Sequence, residues 1–204
     1  MKHADTIVLV FSKAPVAGEV NTRLTPYISH QEAADLQCEL VHNRLEMLAS
    51  SGLCHFQLWC APDTLHPFFA DCADRYGIDL QAQTGIDLGE RMLSASRLML
   101  ESYDKVIIIG TDAPALGIDQ IDQAINELDQ HDTVLVPAED GGYVLIGMSL
   151  HRAGMLADIA WGCGRVLEQT MQNFDRLGLH YRLLDTCWDV DRPEDLERYR
   201  RLQV

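Results

Sequence analysis

Apolar residues along the chain follow two alternating rhythms. Short continuous runs at 6–11, 55–61 and 105–110 have the form of buried strands. Between them, apolar residues recur three or four positions apart, the period of a helix with one covered face. Ser29 and Glu32 form a capping box ahead of the first helix. Its stripe holds Ala33, Leu36, Leu40, Leu45 and Leu48, and Gly52 ends it. The same reading predicts helices over 65–76 (closed by Gly77), 88–102, 118–130, 164–177 and 193–202, the last with proline in its first turn. A weaker strand pattern occupies 79–85, and further strands are expected at 133–136, 143–146 and 181–184, the first two of these apolar.

Strands alternating with helices of ten or more residues predict an α/β fold: three α/β/α layers around a mostly parallel, mixed sheet. No linker, low-complexity tract or internal repeat interrupts the pattern, so residues 1–204 read as one domain. In such sheets ligands sit at the carboxyl ends of the strands. Polar residues that directly follow strands are therefore the candidates for chemistry.

Five segments meet that condition. SKAPVAGEVNTRL (12–24) carries Lys13, Gly18 and Arg23 after the first strand. A glycine-containing loop with two cations can wrap a phosphate; the plainer reading is a solvated loop, and neither a Walker loop nor G-x-G-x-x-G is present. TGIDLGERM (84–92) places Asp87 at a helix start and Arg91 one turn in, as substrate contacts or as an ordinary helix entry. GTDAPAL (110–116) presents Asp112 at the tip of the most apolar strand, where an unpaired acid is costly. Such a residue suits a magnesium ligand, or else a cap on the turn made by Pro114. PAEDGGYVLIG (137–147) sets Glu139 and Asp140 before Gly141 and Gly142, a tight hairpin turn that can also admit a ligand close to the backbone. CWDVDRPEDL (187–196) carries Asp189 and Asp191, two apart and so facing the same way on extended chain; Glu194 and Asp195 fall in the first turn of the last helix.

Composition narrows the choice. Net charge is −15, with 16 Lys and Arg against 31 Asp and Glu, which argues against a general nucleic-acid binder. Any anion site must be built from a few local cations. The six cysteines show no C-x-x-C spacing and read as reduced thiols rather than a zinc site. The early apolar run is too short for a signal segment and no stretch is long enough to span a bilayer, so a cytoplasmic protein without membrane contact is expected. Nothing in the sequence speaks to its oligomeric state.

Together the five segments, in this order, resemble a family of small bacterial glycosyltransferase-like proteins of the GT-A fold, some named arsenosugar-biosynthesis glycosyltransferases. The resemblance spans residues 7 to about 199. More distantly the chain is similar to the 2-phospholactate guanylyltransferases and the molybdenum-cofactor nucleotidyltransferases. The resemblance implies that Lys13 and Arg23 contact nucleotide phosphates, and that Asp112 with Asp189 or Asp191 holds Mg²⁺ or Mn²⁺. The chain departs from the family pattern at Asn21, where relatives carry lysine, and at Gly162-Cys163, where they carry Ser-Thr. The expectation is a metal-dependent transferase with a nucleotide or nucleotide-sugar donor and a small-molecule acceptor, most simply a glycosyltransferase. Gly141 and Gly142 would admit the sugar or acceptor, and Asp140 would orient or deprotonate the acceptor hydroxyl. The alternatives are a nucleotidyltransferase that releases pyrophosphate, or a non-catalytic nucleotide-binding domain.

Overall fold

The computed structural model describes residues 1–202. Along these the elements are β1 (His3–Lys13), α1 (His30–Ser51), β2 (Cys54–Ala61), α2 (Pro67–Tyr76), β3 (Leu80–Ala82), α3 (Leu88–Met99), β4 (Lys105–Ile109), α4 (Ile118–Glu127), β5 (Thr133–Pro137), β6 (Tyr143–Met148), α5 (Val166–Leu177), β7 (Tyr181–Leu183) and α6 (Pro193–Leu202). The strands form one sheet in the order β3-β2-β1-β4-β6-β5-β7. Strand β6 runs antiparallel to β4 and β5, and the other neighbours are parallel. This is the α/β class expected from the sequence.

Side chains alternate between the two sheet faces, and helices cover both. Val8, Val10, Ile107 and Ile109 face Val41 and Leu45 of α1, Phe69 of α2 and Ile121 of α4. Ile7, Leu9, Val106 and Ile108 face Met92 of α3 and Phe174 of α5. Burial on both faces is why these strands are continuously apolar. A third, smaller cluster joins Leu24 and Leu36 to Trp188, Val190, Leu196 and Tyr199. It clamps the loop after β1, helix α1, the segment before α6, and α6 itself into one unit, and so fixes where Arg23 and the late aspartates lie.

The predicted caps are present: Ser29 and Glu32 satisfy each other's backbone groups, and Gly52 and Gly77 close α1 and α2 in the left-handed region. Some elements are shorter than expected. Helix α2 starts at Pro67 because His66 caps it, leaving Leu65 83% exposed. Helix α3 stops at Met99 and α4 at Glu127, each passing into tight turns without a glycine signal. Strands β3 and β7 keep three residues each, as edge strands with one neighbour need little length. The return strand β6 of the hairpin lies between β4 and β5, because its four central residues are as apolar as a central strand requires. Among the described residues no helix is long and apolar enough to cross a membrane.

Candidate active site

The carboxyl ends of β1, β4 and β5 and the amino end of the antiparallel β6 share one sheet edge, and a two-chambered cleft opens there. The larger chamber, about 560 Å³, is lined by Lys13, Arg23 and Arg91 with Ser12, Gln83 and Thr111. The smaller, about 310 Å³, holds Asp112, Asp140, Asp189 and Asp191 against an apolar wall that includes Met92, Val144 and Trp161. Phe11, Arg23, Leu88, Gly110, Asp112 and Asp191 border both, so the chambers form one continuous site.

Local geometry explains each position. Asp112 follows β4, and its carbonyl accepts from Val190 N at 2.7 Å, which draws the 189–191 segment to it. Gly110 leaves room for the Asp112 carboxylate: a Cβ there would come within 2.6 Å of Oδ1. Asp189 and Asp191 flank the buried Val190, so the core fixes the residue between them while both acids line the smaller chamber. Asp195 secures this entry by accepting from Arg192 N at 2.8 Å. Asp140 sits in the hairpin turn, where its Oδ1 accepts from Gly142 N at 2.8 Å.

The acids act on one another. Asp189 is pushed up to about 7, first by the loss of bulk water around it and then by Asp112 and Asp140. Asp112 also stands above the usual aspartate range, again chiefly from restricted hydration, with Asp191 and Asp140 adding to the rise and Arg44 opposing it. Its surface is open to the cleft, and the surrounding walls keep bulk solvent at a distance. On the cationic side, Arg23 Nη1 donates to Asp191 Oδ2 at 2.6 Å. Arg91 donates only to a backbone carbonyl, that of Gly85, and Lys13 has no ion-pair or hydrogen-bond partner for its ammonium among the described residues.

Three of the expected residues do not line the cleft. The Asp87 carboxylate accepts from Glu90 N at 2.8 Å and is the N-cap of α3. Gly18 supplies a positive-φ turn beside the His30 ring. Gly141 adopts φ +88° and leaves space for the Gly164 carbonyl, while Gly142 faces the chamber. Glu139 pairs with Arg198, which in turn lies over Trp188. Asn21 has φ +49°, a backbone region that asparagine tolerates better than lysine, and donates to Ala33 O and Gln37 Oε1. Its amide ties the first loop to α1.

The sequence reading passed over two polar residues on the buried face of α1. Gln37 donates to Ser12 Oγ and Thr111 Oγ1, linking the ends of β1 and β4 beneath the cleft. Arg44 donates to the carbonyls of Ala113 and Leu116, gripping the loop that carries Asp112. Burial lowers Arg44 to about 10, with Asp112 opposing that fall. Their signal was present: both fall among Leu40, Val41, Leu45 and Leu48, where a stripe built only for packing has no place for an amide or a guanidinium.

The family model DUF2064, described as "Uncharacterized protein conserved in bacteria", matches residues 44–163. The chain belongs to this family. The matched span contains Arg91, Asp112 and Asp140 of the cleft and Arg44 beneath it, while Lys13, Arg23 and the late aspartates lie outside it. A crystal structure from Desulfovibrio desulfuricans G20, provisionally named a nucleotide-diphospho-sugar transferase, is 30% identical over 93% of this chain and 83% of its own, with a TM-score of 0.83. The 4-diphosphocytidyl-2C-methyl-D-erythritol synthase of Anaerococcus prevotii DSM 20548 is 9% identical over 98% and 99% of the two chains, with a TM-score of 0.66. The inositol-1-phosphate CTP transferase of T. maritima is 13% identical over 98% and 95%, with a TM-score of 0.59. At those identities the last two are similar in fold alone. The DUF2064 chain thus has the nucleotide-diphospho-sugar-transferase-like fold that the resemblance implied. No curated protein sequence matches it.

Proposed function

We propose that the protein is a transferase with a nucleotide-activated donor, and that it moves a glycosyl group from a nucleotide sugar to a small-molecule acceptor. The observation that carries this reading is the cationic side of the cleft. In a chain of net charge −15, Lys13 and Arg91 face the larger chamber without carboxylate partners, beside Arg23. Unneutralised cations in an acidic protein are the expected binding surface for a diphosphate. The 30% identical relative, named for a nucleotide-diphospho-sugar transferase, supports the choice of donor.

A divalent cation fits the donor set. Asp112 and Asp189 offer hard oxygen ligands, and Asp112 lies close enough to add to the rise in the Asp189 pKa. Among the described residues no three metal-binding side chains are gathered, so the protein alone does not make a complete shell. That is the habit of magnesium, which takes one or two carboxylates and fills its remaining positions with water and phosphate oxygens. Asp112 and Asp189 would hold Mg²⁺ or Mn²⁺, while Asp191 is engaged by Arg23. When bound, the ion supplies charge neutralisation on the leaving diphosphate.

The remaining chemistry belongs to the chain. Lys13, Arg23 and Arg91 hold the diphosphate. The bond from the sugar anomeric carbon to the diphosphate oxygen breaks, a bond to the acceptor oxygen forms, and the nucleoside diphosphate leaves. Asp140 has one carboxylate oxygen fixed by Gly142 N and the other available. It orients the acceptor hydroxyl, or takes its proton where the transfer inverts.

Calorimetry with Mn²⁺ and a panel of nucleoside diphosphates and nucleotide sugars tests this. Metal-dependent binding that Asp112→Ala abolishes, with free nucleoside diphosphate as the product of turnover, is the expected result. Pyrophosphate released from a nucleoside triphosphate would replace glycosyl by nucleotidyl transfer, and binding without turnover would reduce the protein to a nucleotide-binding domain.

A further inference from the structure

The smaller chamber differs sharply in chemistry from the larger one, and the contrast bears on the acceptor. Among the described residues that line it, Arg23 is the one cation, and that guanidinium is already paired with Asp191. Against it stand Asp112, Asp140 and Asp189. The opposite wall is apolar and aromatic: Trp161 meets Tyr143 edge to face at 6.4 Å between ring centroids, and Met92, Val144 and Val166 continue the surface. The first turn of α5 borders the chamber, and its Leu167 N–H is spent on Gly141 O at 2.9 Å, which removes a backbone donor that an anion would use.

From this we infer that the acceptor is a non-anionic alcohol, neutral or amine-bearing, whose body is apolar or flat, and that phosphorylated acceptors are excluded. The inference rests on the transferase reading for the identity of the reaction, and on the chamber alone for the chemistry of the ligand. In the free protein a phosphate placed there would meet three carboxylates; with Asp112 and Asp189 taken up by a divalent ion whose charge the donor diphosphate offsets, it would still meet Asp140 with no free cation beside it, and like charges held at short range in restricted water repel strongly. An ammonium or hydroxyl group would instead find acceptor oxygens on the acidic side, while an apolar body covers Trp161 and Val144. About 310 Å³ is the lower end of the range for small-molecule sites, which suits a single-ring compound.

The experiment uses three compounds that share one ring: 2-(4-hydroxyphenyl)ethanol, tyramine, and the phosphate monoester of the first. Each is titrated into the full-length protein by calorimetry, once alone and once with Mg²⁺ and a saturating nucleoside diphosphate. The neutral and amine compounds are expected to bind at least about tenfold more tightly than the phosphate ester. Trp161→Ala should weaken the neutral compound by a similar factor. Equal or tighter binding of the phosphate ester overturns the inference, as does failure of all three to bind. Should Trp161→Ala not fold, the charge series on the unaltered protein still decides. The nucleoside diphosphate titration is read separately: its failure removes the transferase reading, while the series on the free protein continues to report the chamber's preference.

Discussion

Arg23 Nη1 donates to Asp191 Oδ2 at 2.6 Å, across 168 positions of sequence, and this ion pair stands where the two chambers meet. Both side chains reach solvent, at 57% and 27% exposure, so the pair contributes no more than ~1 kcal/mol to stability. Its position suggests that a diphosphate competes with Asp191 for the guanidinium. Arg23→Ala is therefore expected to leave urea-induced unfolding within ~1 kcal/mol of the unaltered protein, while nucleoside diphosphate affinity falls about tenfold or more. Arg23→Lys should fall between, because an ammonium keeps the charge and loses the fork. Unchanged affinity in Arg23→Ala would remove Arg23 from the donor site.

Arg44 presents the opposite balance. It is 4% exposed, and its guanidinium holds the carbonyls of Ala113 and Leu116. Arg44→Met fills similar space but takes the guanidinium away from the Leu116 carbonyl, leaves the Ala113 carbonyl with Leu116 N at 3.0 Å, and removes the buried charge that opposes the rise at Asp112. The expected loss is about 3 kcal/mol, read from the urea midpoint at constant slope. A loss below ~1 kcal/mol would mean that the 113–116 loop holds its shape without this residue.

The alternation of apolar runs and helical stripes made the element order legible, because both faces of the sheet are buried and each central strand had to be apolar throughout. The caps at Ser29, Gly52 and Gly77 were readable for the same local reason. The insertion of β6 between β5 and β4 was not, since the order of strands depends on contacts between distant segments. At the cleft, acids and cations that follow strands could be picked out, and the fold brings Lys13, Arg23, Arg91, Asp112, Asp140, Asp189 and Asp191 to one edge. Local pattern could not tell which of them are committed elsewhere. For Asp87 the substrate-contact and helix-entry readings look the same in sequence, and the carboxylate caps α3. Arg44 and Gln37 escaped notice because they sit within an otherwise apolar stripe.

Gly141 and Gly154 allow a controlled test of the turn that carries Asp140. Both have φ +88°, so alanine is strained at either. At Gly154 nothing lies within 4 Å of the added Cβ, whereas at Gly141 the Cβ would overlap the Gly164 carbonyl. Gly154→Ala should cost about 1 kcal/mol, the conformational term alone. Gly141→Ala should cost about 3 kcal/mol, because backbone on both sides must move. It should also reduce turnover by displacing Asp140, an effect absent from Gly154→Ala. Equal costs for the two variants would show that the 138–142 turn does not depend on its contact with Gly164.

Restricted hydration at Asp189, with Asp112 and Asp140 adding to it, sets a pH dependence whose sign is fixed. In the folded, metal-free protein Asp189 titrates at about 7, against 3.8 for an ordinary aspartate. Between these values the unfolded chain has released its proton while the folded chain retains it. The folded state thus binds more protons in that window, and stability falls as pH rises from about 4 to about 7, then levels off. The full displacement corresponds to roughly 4 kcal/mol, and the remaining contact of the carboxylate with cleft water reduces the expected effect to about 2. Asp189→Asn removes the penalty. In EDTA it should therefore be more stable than the unaltered protein by about 2 kcal/mol at about pH 8 and no more stable at about pH 4. Binding of Mg²⁺ should run the other way, strengthening between about pH 6 and pH 8 as the proton leaves. Urea unfolding of both proteins at the two pH values measures the difference directly. A gain that is the same at both would mean that Asp189 ionises as an ordinary surface acid.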